Sequence, residues 1–328
     1  MINYPRPFSV LFALFIIALV LVSCGTSITH HPSTLPSRIA YSSDRDNTVH
    51  VYTIKPDGTD NRSTSNDPQI LDGLPTWSPD GTVIAFTSNQ AEDFDLWIMK
   101  EDGSNRLRLT SMKGWDGSPR WSPDGSKIVF VGERNNAEGH KSFEIFIMNS
   151  DGSGVKQLTD SESWGPEATG DTGGHEEPVR WNGCPTFSPD GTKILFASNR
   201  GGDYARPVLY IMNLDGSDQK KFGFPFEIDG TDADWSPVTN RIVFCRGTAA
   251  KGEIWVMDGG SPFPLLTAKK ITNNTDNNQN PVWSPDGTQI AFVSDTYGND
   301  DIFIMNADGT NIRRLTYDKS NERHPSWR

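Results

Sequence analysis

One pentapeptide recurs along the chain and constrains it more than any other feature. Trp77-Ser-Pro-Asp-Gly, Trp121-Ser-Pro-Asp-Gly, Phe187-Ser-Pro-Asp-Gly, Trp235-Ser-Pro-Val-Thr and Trp283-Ser-Pro-Asp-Gly follow at spacings of 44, 66, 48 and 48 residues. A period of that length means repeated supersecondary units sharing one core. After each pentapeptide comes a β-rich run: Val83–Thr87, Lys127–Val131, Lys193–Ala197, Arg241–Cys245 and Gln289–Val293. A second run alternates as strands do, in Leu96-Trp-Ile-Met, Ile145-Phe-Ile-Met, Leu209-Tyr-Ile-Met, Ile254-Trp-Val-Met and Ile302-Phe-Ile-Met. A turn pair follows, Asp102-Gly103, Asp151-Gly152, Asp215-Gly216, Asp258-Gly259 or Asp308-Gly309, whose glycine accepts positive φ at no steric cost. A short strand such as Leu107–Thr110, Lys156–Thr159 or Arg313–Thr316 closes the unit. Each unit therefore reads as a four-stranded antiparallel meander of propeller-blade length.

The chain's two ends complete each other. Pro325-Ser-Trp327-Arg328 starts a unit and stops, while Arg38-Ile-Ala-Tyr41-Ser, Val49–Ile54 and Asp57-Gly58 supply a unit without its first strand. Joined, they make a sixth blade, so the expected fold is an all-β, six-bladed β-propeller over residues 37–328, closed by its C-terminal strand. Thirty glycines and 22 prolines in 328 residues suit so many turns. A net charge of −12 argues against nucleic acid, whose binders need clustered Lys and Arg. Three cysteines are too few for a disulfide scaffold or a Cys-rich metal framework.

The Trp-Ser-Pro-Asp-Gly, Ile-Phe-Ile-Met-Asn-x-Asp-Gly and Arg-Arg-Leu-Thr segments resemble the WD40-like repeats of the TolB propeller family, over about Ser37–Arg328. The resemblance implies the propeller fold and an extracytoplasmic compartment. It implies the Tol system's role less, because the repeats leave no room for the α/β domain that TolB places ahead of its propeller.

Residues 1–23 carry one basic residue, Arg6, and an apolar run, Val10–Val22, too short to span a bilayer comfortably but suited to a signal-peptide core. The run ends in Leu21-Val22-Ser23-Cys24-Gly25, which resembles a bacterial lipobox. The expected product is a lipoprotein acylated at Cys24, with 24–36 as a flexible tether; several acyl chains give the stable anchoring that one does not. Gly25 is not the aspartate linked to inner-membrane retention, which favours the outer membrane in a Gram-negative cell and the cell surface otherwise.

The repeat frame sorts the remaining residues. The framework aromatics and the strand aromatics Trp97, Phe146, Tyr210, Trp255 and Phe303 recur at fixed positions and are expected in the core. Trp115, Trp164 and Trp181 have no repeat equivalent, and Phe222, Phe224 and Phe226 stand in the following connection. Aromatics on one loop-bearing face suit a glycan platform or a protein hot spot; they equally suit a small private core under a long loop. Five residues before each framework aromatic stand Asp72, Asp116, Asn182, Gly230 beside Asp229, Asn278 and Glu322. These form either a polar ring at the channel mouth, able to hold Ca²⁺ or a cationic segment, or ordinary turn starters ahead of strands.

No helix-borne metal motif or nucleophile elbow occurs. His175 with Glu176 or Glu177 could serve as an acid–base pair or a metal ligand set, but a glycine-rich surface loop produces such clusters by chance. Cys184 and Cys245 are expected on one face, as a disulfide or as two isolated thiols. The sequence thus leads to a monomeric, lipid-anchored envelope module that binds a protein or polysaccharide through its loop-bearing face, with Trp115, Trp164 and Trp181 as anchors and no catalytic residues. The competing reading is an extracytoplasmic lyase or hydrolase working at the channel mouth.

Overall fold

The computed structural model describes residues 35–65, 67–135, 141–161, 180–200, 207–248 and 251–328. Among these, 24 strands and one four-residue helical turn, α1 (Pro264–Thr267), were found. The first unit holds β1 (Ile39–Ser43), β2 (His50–Ile54) and β3 (Arg62–Ser63), and the second β4 (Asp72–Trp77), β5 (Val83–Ser88), β6 (Asp95–Lys100) and β7 (Leu107–Arg108). The third holds β8 (Asp116–Trp121), β9 (Lys127–Asn135), β10 (Lys141–Asn149) and β11 (Lys156–Gln157), and the fourth β12 (Arg180–Phe187), β13 (Lys193–Ser198), β14 (Val208–Asn213) and β15 (Lys220–Lys221). The fifth comprises β16 (Thr231–Trp235), β17 (Arg241–Thr248), β18 (Lys251–Asp258) and β19 (Lys269–Lys270). The sixth comprises β20 (Asn278–Trp283), β21 (Gln289–Ser294), β22 (Asp301–Asn306) and β23 (Arg313–Arg314), after which β24 (Glu322–Trp327) ends the chain.

Pairing within each unit is antiparallel, as the Asp-Gly hairpins require. β24 pairs antiparallel with β1, Ile39 opposite Trp327 and Ser43 opposite Glu322, so the first unit takes its inner strand from the C-terminus. The backbones of Arg38 and Arg328 exchange two hydrogen bonds, of 3.1 and 2.9 Å, at this seam. The third and fourth units also touch through a short parallel pairing of β10 with β12, Ser142 opposite Arg180 and Phe143 opposite Trp181.

The Ser-Pro-Asp-Gly turns explain why the pentapeptide repeats. In the first, Gly81 N–H donates to the Ser78 carbonyl at 2.8 Å with Gly81 at φ +70°, and Asp80 accepts from the Ser78 hydroxyl and the Thr82 N–H. These donors hold the Asp80 carboxyl below the usual range against the opposing pull of its partial desolvation. Each hydrophobic cluster spans two neighbouring units, such as Ala40, Val51, Trp77, Ile84, Phe86 and Met99. At its centre stands a second-strand aromatic the repeat reading passed over: Tyr41, Phe86, Phe130, Phe196, Phe244 and Phe292, each at most 1 % exposed. Each sits opposite a third-strand aromatic, as Phe130 does Phe146 with ring centroids 5.4 Å apart.

Candidate functional site

The six inner strands β4, β8, β12, β16, β20 and β24 surround a channel. Each carries the same irregularity, a bulge between its second and fifth residues or their equivalents. At each bulge one non-glycine residue takes a left-handed backbone: Leu74, Ser118, Cys184, Asp232, Asn280 and His324, all with φ between 48° and 53°. A conformation costing about 1–2 kcal/mol per residue persists because the flanking ladder imposes it. Its effect is to line a channel waist of about 50 Å³ with these six side chains. The Cys184 thiol donates to Asp232 Oδ1 at 3.2 Å. His324 Nδ1 is buried without a hydrogen-bond partner, and burial pushes that imidazole down to about 4. Among the described residues no group of three or more His, Cys, Asp or Glu is placed to hold a metal ion.

On the Ser-Pro-Asp-Gly side the waist opens into a funnel of about 170 Å³. All six framework aromatics line it: Trp77, Trp121, Phe187, Trp235, Trp283 and Trp327. Pro79, Pro123, Pro189, Pro237 and Pro285 form its rim. The framework aromatics therefore do two jobs. Trp77, Phe187 and Trp283 are buried between units, while Trp121, Trp235 and Trp327 keep a partly exposed edge. Arg120 lines both funnel and waist, and its guanidinium donates to its own neighbour, the Pro119 carbonyl, at 3.1 Å. Asp234 also faces the funnel; it accepts from Trp283 N–H at 2.8 Å, and burial pushes it up to about 6.

The residues expected as a polar ring at the other mouth are placed differently. Asp72, Asp116, Asn182, Asn278 and Glu322 are each 0 % exposed. Arg106 grips Asp72 at 2.8 and 2.9 Å, and Arg134 meets Asp116 Oδ1 at 3.2 Å. Arg200 donates to Asn182 at 3.0 Å, Arg246 meets Asp229 at 2.6 Å, and Arg45 meets Glu322 at 3.2 Å. Asn278 is held by Asn274 at 2.7 Å. Each of these arginines lies over a blade aromatic, as Arg45 does Tyr52 at 4.2 Å and Arg200 does Tyr210 at 4.5 Å. Although Asp116 Oδ2 and Glu322 Oε2 stay buried without a hydrogen-bond partner, guanidinium, hydroxyl and amide donors engage each of these groups. They are internal clamps.

Of the aromatic anchors, Trp115 lies over Gly117, where an added Cβ would come within 2.2 Å of its ring, and meets Phe143 edge-on at 6.0 Å. Trp181 covers Gly183 in the same way and packs on the Leu209 and Phe244 cluster. Both are half-buried, each with its ring laid over the glycine and packed against a blade cluster. Phe224 and Phe226 are 76 % and 44 % exposed, and Phe224 borders a lateral groove with Phe222 and Pro264. Cys184 and Cys245 are free thiols on separate partners, Asp232 and the Asn278 carbonyl. Cys24, Trp164, His175, Glu176 and Glu177 lie outside the described residues.

Sequence reasoning missed the funnel, although its signal was present. A proline stands two residues before five of the six framework aromatics, Pro75, Pro119, Pro185, Pro281 and Pro325, marking the bulge that turns the preceding side chain inward.

The TolB beta propeller domain family matches residues 18–174 and 229–328. A TolB homolog from Chlorobium luteolum is 30 % identical over 121 residues, covering 37 % of this chain and 26 % of that protein. A Tol-Pal system protein TolB from Anaeromyxobacter dehalogenans is 28 % identical over 120 residues, 36 % of this chain and 26 % of that one. The chain thus spans about a quarter of the length of these two relatives. The crystal structure of TolB from Acinetobacter baumannii shares the fold at a TM-score of 0.67 and 21 % identity, covering 91 % of this chain and 68 % of that one. With the inner-strand bulges, the repeated turns and the family match in agreement, the chain belongs to the TolB beta propeller domain family.

Proposed function

We propose that this chain is a cell-envelope binding module, held to the membrane through an acylated Cys24, that takes a protein partner at the aromatic funnel. The observation that carries the reading is convergence: six units each turn one aromatic edge onto a single rigid cavity. A preorganised aromatic pocket is where binding energy concentrates in protein interfaces, because little side-chain entropy remains to be lost. The names of the TolB relatives support an envelope setting and a protein partner. The folding-down of Trp115 and Trp181 moves the proposed surface from the loop-bearing face to the repeated Ser-Pro-Asp-Gly face.

The test is affinity capture from detergent-solubilised envelope. Pro123→Glu/Pro237→Glu places two charges on the funnel rim and leaves the tryptophan core intact. This variant is expected to lose a captured protein about tenfold or more, while Trp181→Ala retains it. Equal recovery by both variants contradicts the proposal.

A further inference from the structure

The funnel's polar groups are unevenly satisfied, and the imbalance specifies a ligand. Asp234 accepts from the Trp283 N–H, and both oxygens of Asp232 are taken, one by the Cys184 thiol and one by the Thr231 hydroxyl at 3.1 Å. Arg120 is the opposite case. A guanidinium carries five N–H donors, yet among the described residues this one has no carboxylate within ion-pairing distance and gives one bond to its neighbour's carbonyl. The blade arginines Arg45, Arg106, Arg134 and Arg246 all hold carboxylates, while the half-buried Arg241 donates to the Ala307 carbonyl at 3.1 Å and lies over the Trp283 ring. Arg120 likewise holds no carboxylate, but it alone of these stands half-buried at the junction of funnel and waist.

We propose that Arg120 is the anchor for a carboxylate carried on an apolar or aromatic peptide segment inserted into the funnel. The inference rests on the funnel reading and names the chemistry the site takes. A planar guanidinium fork matches a carboxylate's two oxygens. Aromatic and prolyl walls take the apolar body that bears it. Asp234 in the funnel and Asp232 in the waist line the same space as Arg120, and Arg120 acts on Asp234, so one guanidinium faces two carboxylates there and a single carboxylate is repelled less than a multiply charged phosphate. Two sources carry that chemistry, a C-terminal carboxylate and an acidic side chain beside an aromatic residue.

Three probes separate the sources: acetyl-Ala-Phe as the free acid, acetyl-Ala-Phe amide, and acetyl-Glu-Phe amide, titrated calorimetrically into the chain. At least one acid-bearing peptide is expected to bind about ten- to a hundredfold more tightly than acetyl-Ala-Phe amide, the range for a charged hydrogen bond. Whichever acid binds identifies the source. Arg120→Gln is expected to shrink that preference to within about twofold while its unfolding midpoint stays near that of the parent. Should Arg120→Gln fail to fold, Arg120→Lys, which keeps the charge and loses the fork, is expected to cut the preference several-fold. Equal binding of acid and amide, a preference that survives both substitutions, or no binding by any probe overturns the proposal. If it is overturned while envelope capture still depends on the funnel rim, the funnel reading stands without the carboxylate.

Discussion

Arg106 holds Asp72 through two parallel hydrogen bonds, 2.8 and 2.9 Å long, while its guanidinium lies 4.7 Å above the Phe86 ring. The pair ties the start of an inner strand to the outer hairpin of its own blade, with Asp72 fully buried. Removing one partner of such a pair strands the other charge in a low-dielectric site. Asp72→Ala is expected to cost about 3–5 kcal/mol in chemical denaturation, and Asp72→Asn, which keeps an acceptor for Arg106, distinctly less. Equal losses in the two variants would show that the pair matters only as volume.

Gly117 and Gly183 lie directly under Trp115 and Trp181. A methyl group there would come within 2.2 Å of each indole, so the ring must lift. Gly183→Ala is expected to destabilise the chain by about 1–3 kcal/mol and to shift tryptophan emission to longer wavelength as Trp181 enters water. An unchanged spectrum with unchanged stability would mean that Trp181 is free on the surface.

Glu322 gives the chain a pH dependence of definite sign. Burial, opposed by the Ser43 hydroxyl and by Arg45, pushes its carboxyl from 4.5 to about 7. Between those values the folded chain keeps the proton that the unfolded chain has lost, so this group's contribution to stability falls as pH rises and is level above. The unfolding free energy of Glu322→Gln relative to the parent should therefore increase by on the order of 2 kcal/mol between pH 5 and pH 8. A constant difference across that range would mean that Glu322 titrates normally.

Both described thiols are held protonated. Burial pushes Cys245 up to about 12, and burial next to Asp232 pushes Cys184 well up as well. Since the thiolate is the reactive species, iodoacetamide at pH 8 should leave both unmodified in the folded chain and alkylate both in denaturant, read by mass spectrometry. Rapid native alkylation at Cys184 would show an open waist.

The repeating turns and the completion of one chain end by the other were legible because both depend on local residues: Asp-Gly at a hairpin, a Trp-bearing strand without its partners. Asp72, Asn182 and Glu322 were found by position but misjudged in role, since their partners Arg106, Arg200 and Arg45 lie 34, 18 and 277 residues away. No short-range pattern reports such a pairing, although Arg45, Arg134 and Arg200 each stand four residues after Tyr41, Phe130 and Phe196. The funnel was hidden for a different reason. An aromatic residue repeated in every blade, tryptophan in five and Phe187 in the sixth, reads as packing, and nothing in its spacing says that one edge also faces a cavity.

Where the partner sits is the claim on which the functional account turns. A photo-crosslinking amino acid placed at Pro237, on the funnel rim, and separately at Tyr297, between β21 and β22 on the opposite face, decides it in intact cells. The account predicts a partner adduct from Pro237 and none from Tyr297. An adduct from Tyr297 with none from Pro237 would contradict it.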